Sequence, residues 1–189
     1  MKNFGALALD AATSQGATYA DVRVMDARQR YLSTKNGKTA QVRESESLGL
    51  GVRVIVDGAW GFASTDDLSR QGILAVGLKA VEIARASALA KRQDVQLASE
   101  TKTVDHWEGP CRIDPFLIPV SSCLDLMLKV DAELRKVKNI TLAEVAMDFH
   151  RIDQLFVSSN GSEIRQIKHQ TGTGFVATSF DGTEIQRRS

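Results

Sequence analysis

Two stretches of the sequence carry the same punctuation. Asn36-Gly37, Gly49-x-Gly51 and Asp57-Gly58 recur as Asn160-Gly161, Gly172-x-Gly174 and Asp181-Gly182, and each set spans 22 positions from asparagine to last glycine. Asn-Gly is the strongest short hairpin signal, because a type I′ turn needs positive φ at both central residues. Set between alternating apolar segments, these dipeptides point to antiparallel hairpins. The equal spacing makes the two stretches related β-meanders. Each has a hairpin at Asn-Gly, a strand led by Gly-x-Gly and a hairpin at Asp-Gly. Glycines within a strand permit a bulge or a close backbone approach. Two copies are too few for a solenoid. The fold class is therefore α+β: an antiparallel-rich sheet, built from the two meanders and packed with two to three helices.

The first meander covers residues 19 to 65. Val22 and Val24 share one strand face, with Arg23 and Met25 on the other. Residues 39–45 form a second strand, the run with Val52, Val54 and Val56 a third, and residues 59–65 a fourth, anchored by Trp60 and Phe62 on one face. From Asn139 onward five further strands are expected, at 140–151, 154–160, 162–169, 173–180 and 183–188. Three helices surround them. Residues 3–15 carry Phe4, Leu7, Ala8 and Ala12 on one side and stop at Gly16. Residues 67–91 follow a capping box at Ser64–Asp67, with a stripe of Ile73, Val76, Ala80, Ile83 and Ala84. A third helix opens at Ser122-x-x-Asp125, runs to about Lys136, and aligns Leu126, Val130, Leu134 and Val137. Residues 93–118, broken by Pro110 and Pro115, read as a long surface connection.

The chemistry-bearing residues are sparse. A net charge of +1 with mixed signs excludes the basic stripe of a nucleic-acid binder. No run approaches the ~20 apolar residues of a membrane span. The N-terminus lacks a leader's apolar core, so a cytoplasmic location is expected. Cys111 and Cys123 read as one loop thiol and one buried thiol. Gly49-x-Gly51 and Gly172-x-Gly174 lack the third glycine and following helix of a dinucleotide site. His106, His150 and His169 have no zinc spacing, although His106 and Cys111 could supply two ligands. No Gly-x-Ser-x-Gly elbow is present. By its residues alone, the chain reads as a domain that binds or supports something.

Three segments carry a resemblance. Gly16-Ala17-x-Tyr19-Ala20-Asp21-Val22-Arg23, Gly49-x-Gly51-Val52-Arg53-Val54 and Asp57-Gly58-x-Trp60-Gly61-Phe62-Ala63-Ser64-Thr65 resemble the N-terminal region of the TldD/PmbA family, on its TldD branch. Residues 157–161 and 171–178 fit the same layout. The resemblance implies a cytoplasmic zinc metalloprotease that acts on peptides or unfolded chains. Pairs of related subunits enclose its active site. The family is linked to maturation of a peptide antibiotic and to modulation of DNA gyrase. Its metal site implies a His-Glu-x-x-x-His motif and a later cysteine in a C-terminal domain, with the glutamate activating metal-bound water. This sequence contains no His-Glu dipeptide.

The expectation is therefore a non-catalytic N-terminal domain of a longer metallopeptidase, walling the substrate chamber and contacting a second subunit. It divides into residues 1–92, a connection at 93–118 and residues 119–189. Zinc belongs to the full-length protein, and this chain carries no catalytic, metal or cofactor residue. The partners implied are a peptide and a related subunit in a homo- or heterodimer, with no nucleic acid and no membrane. The alternative is a stand-alone or PmbA-like binding module without proteolysis. Gly49, Gly51, Arg53 and Trp60 are the candidate substrate-strand or interface residues, because a strand edge holds a peptide through backbone bonds. The opposing reading makes the strand from Gly49 to Val56 central and fully paired. If a C-terminal domain normally covers an apolar face, the isolated chain self-associates.

Overall fold

A computed structural model describes residues 1–189. The chain runs α1 (Lys2–Thr13), β1 (Tyr19–Lys35), β2 (Lys38–Val56), β3 (Ala59–Thr65), α2 (Arg70–Ala88), β4 (Val104–Glu108), a 3₁₀ turn (Pro115–Leu117), α3 (Val120–Arg135), β5 (Ile140–Ser158), β6 (Glu163–Phe180) and β7 (Ile185–Arg188). The strands form one sheet in the order β3-β2-β1-β5-β6-β4, with β7 also paired to β6. β2–β3 and β6–β7 are antiparallel, while β4 runs parallel to β6. This is the expected α+β architecture with two meanders, β1–β2–β3 and β5–β6–β7.

The strands are fewer and longer than the sequence suggested. Residues 39–45 and the Val52–Val56 run are one strand, β2, and the five later candidates merge into β5, β6 and β7. In β2 and β6 the apolar alternation fades because the joining side chains are exposed, and in β5 the join carries the buried Asp153, bonded to Arg165, yet the backbone ladder continues. The connection at 93–118 is not wholly irregular, since it holds β4 and the 3₁₀ turn. Both capping boxes were misplaced. Ser69 caps α2, its hydroxyl accepting from Gly72 N at 3.1 Å. Ser64 and Asp67 precede that helix, and Asp67 instead accepts from Ser69 N at 3.0 Å. α3 begins at Val120 after Pro119, before Ser122 is reached.

The turns divide in the same way. Asn36 and Gly37 (φ 48° and 78°), like Asp57 and Gly58 (49° and 70°), are left-handed pairs, as a type I′ turn requires. At Asn160-Gly161 only the glycine is left-handed, at 84°, inside a longer loop closed by Ser158 N to Ser162 O at 3.0 Å. At Asp181-Gly182 the Asp181 carboxylate accepts from Thr183 N and Glu184 N, which holds its proton affinity below the ordinary aspartate range.

The chain forms two compact units, each assembled from three segments. The first comprises residues 1–27, 47–109 and 152–167, and the second residues 28–46, 110–151 and 168–189. In the first, α1 and α2 cover one sheet face. Val22 and Val24 of β1, Val52, Val54 and Val56 of β2, and Ile73, Val76, Ala80 and Val81 of α2 form its core. Burying one valine contributes roughly 1.5–3 kcal/mol. Ile83, expected in the α2 stripe, is at the surface, and Val81 takes that place. Gly61 of β3 lies so close to α2 that a Cβ there would stand 2.1 Å from Ala80 O.

The second unit has a smaller core of Leu32, Phe116, Cys123, Met127, Val145 and Phe149. On α3, Cys123, Met127 and Asp131 are buried, whereas Leu126 and, just beyond the helix, Val137 are exposed. Arg30 is 5% exposed and donates to the carbonyls of Phe116 and Ile118, while its Nε meets Glu44. It pins the 3₁₀ turn to the strand.

Candidate functional site

The alternation that buries Val22, Val24, Val52, Val54 and Val56 under the helices sends their neighbours to the opposite, helix-free face. There β1 offers Asp21, Arg23 and Met25, β2 offers Gly49, Gly51 and Arg53, and β3 offers Phe62 and Ser64. Together with Leu48, Leu50 and Asp66 they line an open cleft of about 710 Å³ within the first unit. The register places Arg53 opposite Phe62 and Gly51 opposite Ser64.

Asp21 organises this face. It is 1% exposed, and Arg53 donates to its Oδ2 from Nε (2.8 Å) and Nη2 (2.6 Å), while Arg23 Nη1 reaches Oδ1 at 3.4 Å. Burial alone would lower Arg53's proton affinity, but the bonds and charge of Asp21 outweigh it and raise it. Both guanidiniums rest on rings, Arg53 4.7 Å from the Trp60 centroid and Arg23 5.2 Å from that of Phe156. Trp60 meets Tyr19 edge-on, at 6.1 Å and 88°. Burial, and then the charge of Asp21, push the Tyr19 hydroxyl up. The result is a fixed cationic and aromatic surface, since two charge-assisted bonds from Arg53 to one carboxylate oxygen and one from Arg23 to the other hold both guanidiniums in place.

Three of the four candidate residues, Gly49, Gly51 and Arg53, line the cleft, and Trp60 stands behind Arg53. Gly49 is pressed on backbone, its hypothetical Cβ 2.9 Å from Thr65 O. Gly51 lies under Phe62, at 2.9 Å from Cε2. These are close approaches, as strand glycines allow. One expectation is corrected. β2 lies between β1 and β3, and Leu50–Val56 are registered with Ala59–Thr65, so this strand has no free edge to accept a peptide backbone. What it presents is a face. Phe62 is corrected as well: 58% exposed, it does not anchor the core, which β3 meets through Ala59 and Gly61.

Asp21, Arg23 and Phe62 were not among the candidates. Their signal was the alternation of β1 and β3, read on the face opposite the valines. The histidines are scattered. His106 is exposed on β4, His150 meets Asp148 at 2.9 Å, and His169 lies on β6. Cys111 is exposed and Cys123 buried, both free. No helix is long and apolar enough to cross a membrane.

Residues 20–88, from β1 through α2, match the family model described as PmbA/TldA metallopeptidase domain 1. The chain is 30% identical over 170 residues to a metalloprotease of Methanothermobacter thermautotrophicus, covering 89% of this chain and 36% of that one. It is 23% identical over 148 residues to a metalloprotease of Methanocaldococcus jannaschii, covering 77% and 32%. The chain thus spans about a third of the length of these relatives. Among solved structures, a candidate modulator of DNA gyrase from Bacteroides thetaiotaomicron superimposes with a TM-score of 0.78 at 16% identity, over 98% of this chain and 43% of that one. TldE from Thermococcus kodakarensis gives 0.69 at 13% identity, over 98% and 40%. At such identities these two likenesses concern the fold. The first-domain match, the metalloprotease relatives and the shared fold agree: the chain belongs to the TldD/PmbA family and is a domain of its N-terminal type.

Proposed function

We propose that this chain is the non-catalytic, peptide-handling domain of a TldD/PmbA-type metallopeptidase, forming part of the substrate chamber wall and of the subunit contact. The observation that carries the reading is the helix-free cleft. Phe62, Met25 and Leu48 offer it exposed apolar surface. Arg53 and Arg23, held by Asp21, keep guanidinium N–H groups near that surface for the carbonyls of an extended chain. Gly51 is what lets the Phe62 ring lie down on the sheet, so the ring and the two guanidiniums form the surface a peptide would meet.

The names of the relatives imply a metal in the full-length proteins. The residues present here do not fit one: no three His, Cys, Asp or Glu side chains converge in this chain. Hydrolysis is therefore assigned to residues outside these 189. Phe62→Ala in the full-length protein tests the role. Because Phe62 is exposed, folding and zinc content should hold. KM for a peptide should rise about tenfold, the loss of one apolar contact worth ~1.4 kcal/mol, or subunit association should weaken comparably. Unchanged KM and unchanged association would remove the cleft from the function. Weakened association in a protein that cleaves no peptide would leave a regulatory binding module.

A further inference from the structure

We infer that the outer edge of β6, from Lys168 to Val176, is the seat of one further strand, supplied by the polypeptide that follows Ser189 and continuing β7. The inference rests on the reading above that these residues are one domain of a longer metallopeptidase.

β6 has β5 along one side. On the other, the register with β4 ends at Ile167 and that with β7 begins at Ala177. Between them the strand continues unbroken without an outer neighbour. The direction of its backbone groups is set by bonds at both ends. Glu163 N donates outward to Thr103 O and Ile167 O accepts from Gly109 N, whereas Phe180 N donates to Asn139 O on the β5 side. Alternation then aims the N–H and C=O groups of His169, Thr171, Thr173 and Phe175 at the open edge. Natural edges of this kind are blunted with proline, lysine or a bulge. From His169 to Phe175 there is no proline, lysine or acidic residue. A Cβ built on Gly172 or Gly174 would meet nothing within 4 Å, so the edge is clear there, while at His169 and Thr171 residues 110–115 border it across a cleft of about 290 Å³.

The occupant follows from register. Ala177 faces Arg188 and Phe180 faces Ile185, so each residue further along β7 moves one residue back along β6. The residue after Ser189 falls opposite Phe175, and those beyond it opposite Gly174, Thr173 and on toward His169. Ser189 already lines a groove of about 580 Å³ with Leu126, Val130, Met147 and Phe175. The residue opposite Phe175 shares its face and would enter that groove, so it should be apolar. Length is at hand: the metalloprotease relatives are about two and a half times as long as this chain. As it stands, β7 is a four-residue, fully exposed strand, and extending it would close the hairpin that Asp181-Gly182 begins.

Amide exchange tests this, comparing the 189-residue chain with one lengthened by roughly ten codons of its own gene, enough to pass His169 at one residue per register step. In the shorter chain the amides of His169, Thr171, Thr173 and Phe175 should exchange freely. In the longer one they should slow by about a hundredfold or more. Thr171→Pro deletes an outward N–H that no present bond uses, so it should leave the shorter chain folded and restore fast exchange in the longer one. Thr171→Ala, which keeps that N–H, should leave the shorter chain folded and exchange in the longer one slow. Equal exchange in both lengths overturns the inference, as does a gene that ends at Ser189. Protection of the shorter chain that rises with protein concentration also overturns it, and assigns the edge to a second copy. The readout is strand pairing and not peptide turnover, so a Phe62→Ala variant with normal KM leaves this inference standing.

Discussion

In the meander β1–β2–β3, glycine is a packing residue. Gly61 admits α2 to within 2.1 Å of where its side chain would begin, and Gly49 and Gly51 lie against Thr65 and Phe62. In the meander β5–β6–β7, Gly172 and Gly174 touch nothing within 4 Å. The spacing of the turn residues is the same in both. The buried carboxylates divide by unit and not by meander, since Asp153 of β5, in the first unit, has both oxygens on Arg165. Asp21 has both oxygens bonded to arginines. Asp131, 0% exposed, has Oδ1 on Arg135 at 2.6 Å and an Oδ2 without a partner. The comparison teaches that turn chemistry fixes where a chain reverses, while the element laid on the sheet decides whether each interior position is filled. The first unit has two helices for that purpose and the second has one.

The sharpest way to break this comparison is a pair of alanines. Gly61→Ala must push back the α2 backbone and should cost about 3 kcal/mol in urea unfolding. Gly172→Ala should change stability by no more than about 0.5 kcal/mol, toward stabilisation, because it only restricts the unfolded chain. Similar losses at both sites would end the distinction. The carboxylates give a smaller contrast. Asp21→Asn removes charge from a doubly bonded group and should cost about 2–3 kcal/mol, against about 1 kcal/mol or less for Asp131→Asn, whose second oxygen is already unpartnered. Equal costs would mean that the two environments are equally satisfied. The smallest effect is in pH. The hydrogen bond from Arg30 holds Glu44 below its ordinary 4.5, helped by Arg28 and opposed by burial. A lowered folded-state value stabilises above the unfolded value and is lost as pH falls through the lowered one. Melting temperature should therefore drop as acid titrates Glu44 below 4.5, and Glu44→Gln should flatten that acid limb. An unchanged limb would mean that Arg30 holds the 3₁₀ turn through its carbonyl contacts alone.

Much of the fold was legible because its signals are local. Val22, Val24, Val52, Val54 and Val56 alternate in sequence and are buried together. Asn36-Gly37 and Asp57-Gly58 turn where their backbones predict. What was not legible depends on partners far along the chain. The five exposed residues of β4 carry no alternation, and their pairing with β6 is parallel and distant. The capping boxes failed because α2 starts later, capped by Ser69, and α3 starts earlier, after Pro119, with no side-chain cap. Three candidate residues did reach the cleft wall, but the edge reading failed because β3 folds back onto β2. Asp21 escaped notice because a strand carboxylate has meaning only once Arg53 is known to lie beside it.

The tips of the hairpins also set how this protein will age. Asparagine before glycine is lost over time when the following backbone nitrogen attacks the side-chain amide and a succinimide ring closes. At Asn36 that amide is held at both ends, Oδ1 accepting from Ala143 N at 2.8 Å and Nδ2 donating to Thr141 O at 3.2 Å. The same two bonds that dock the β1–β2 turn onto β5 thus restrain the rotation that ring closure needs. At Asn160 the loop is held by backbone bonds instead. Deamidation, and the extra negative charge it brings, should begin at the β5–β6 tip and reach the β1–β2 tip last.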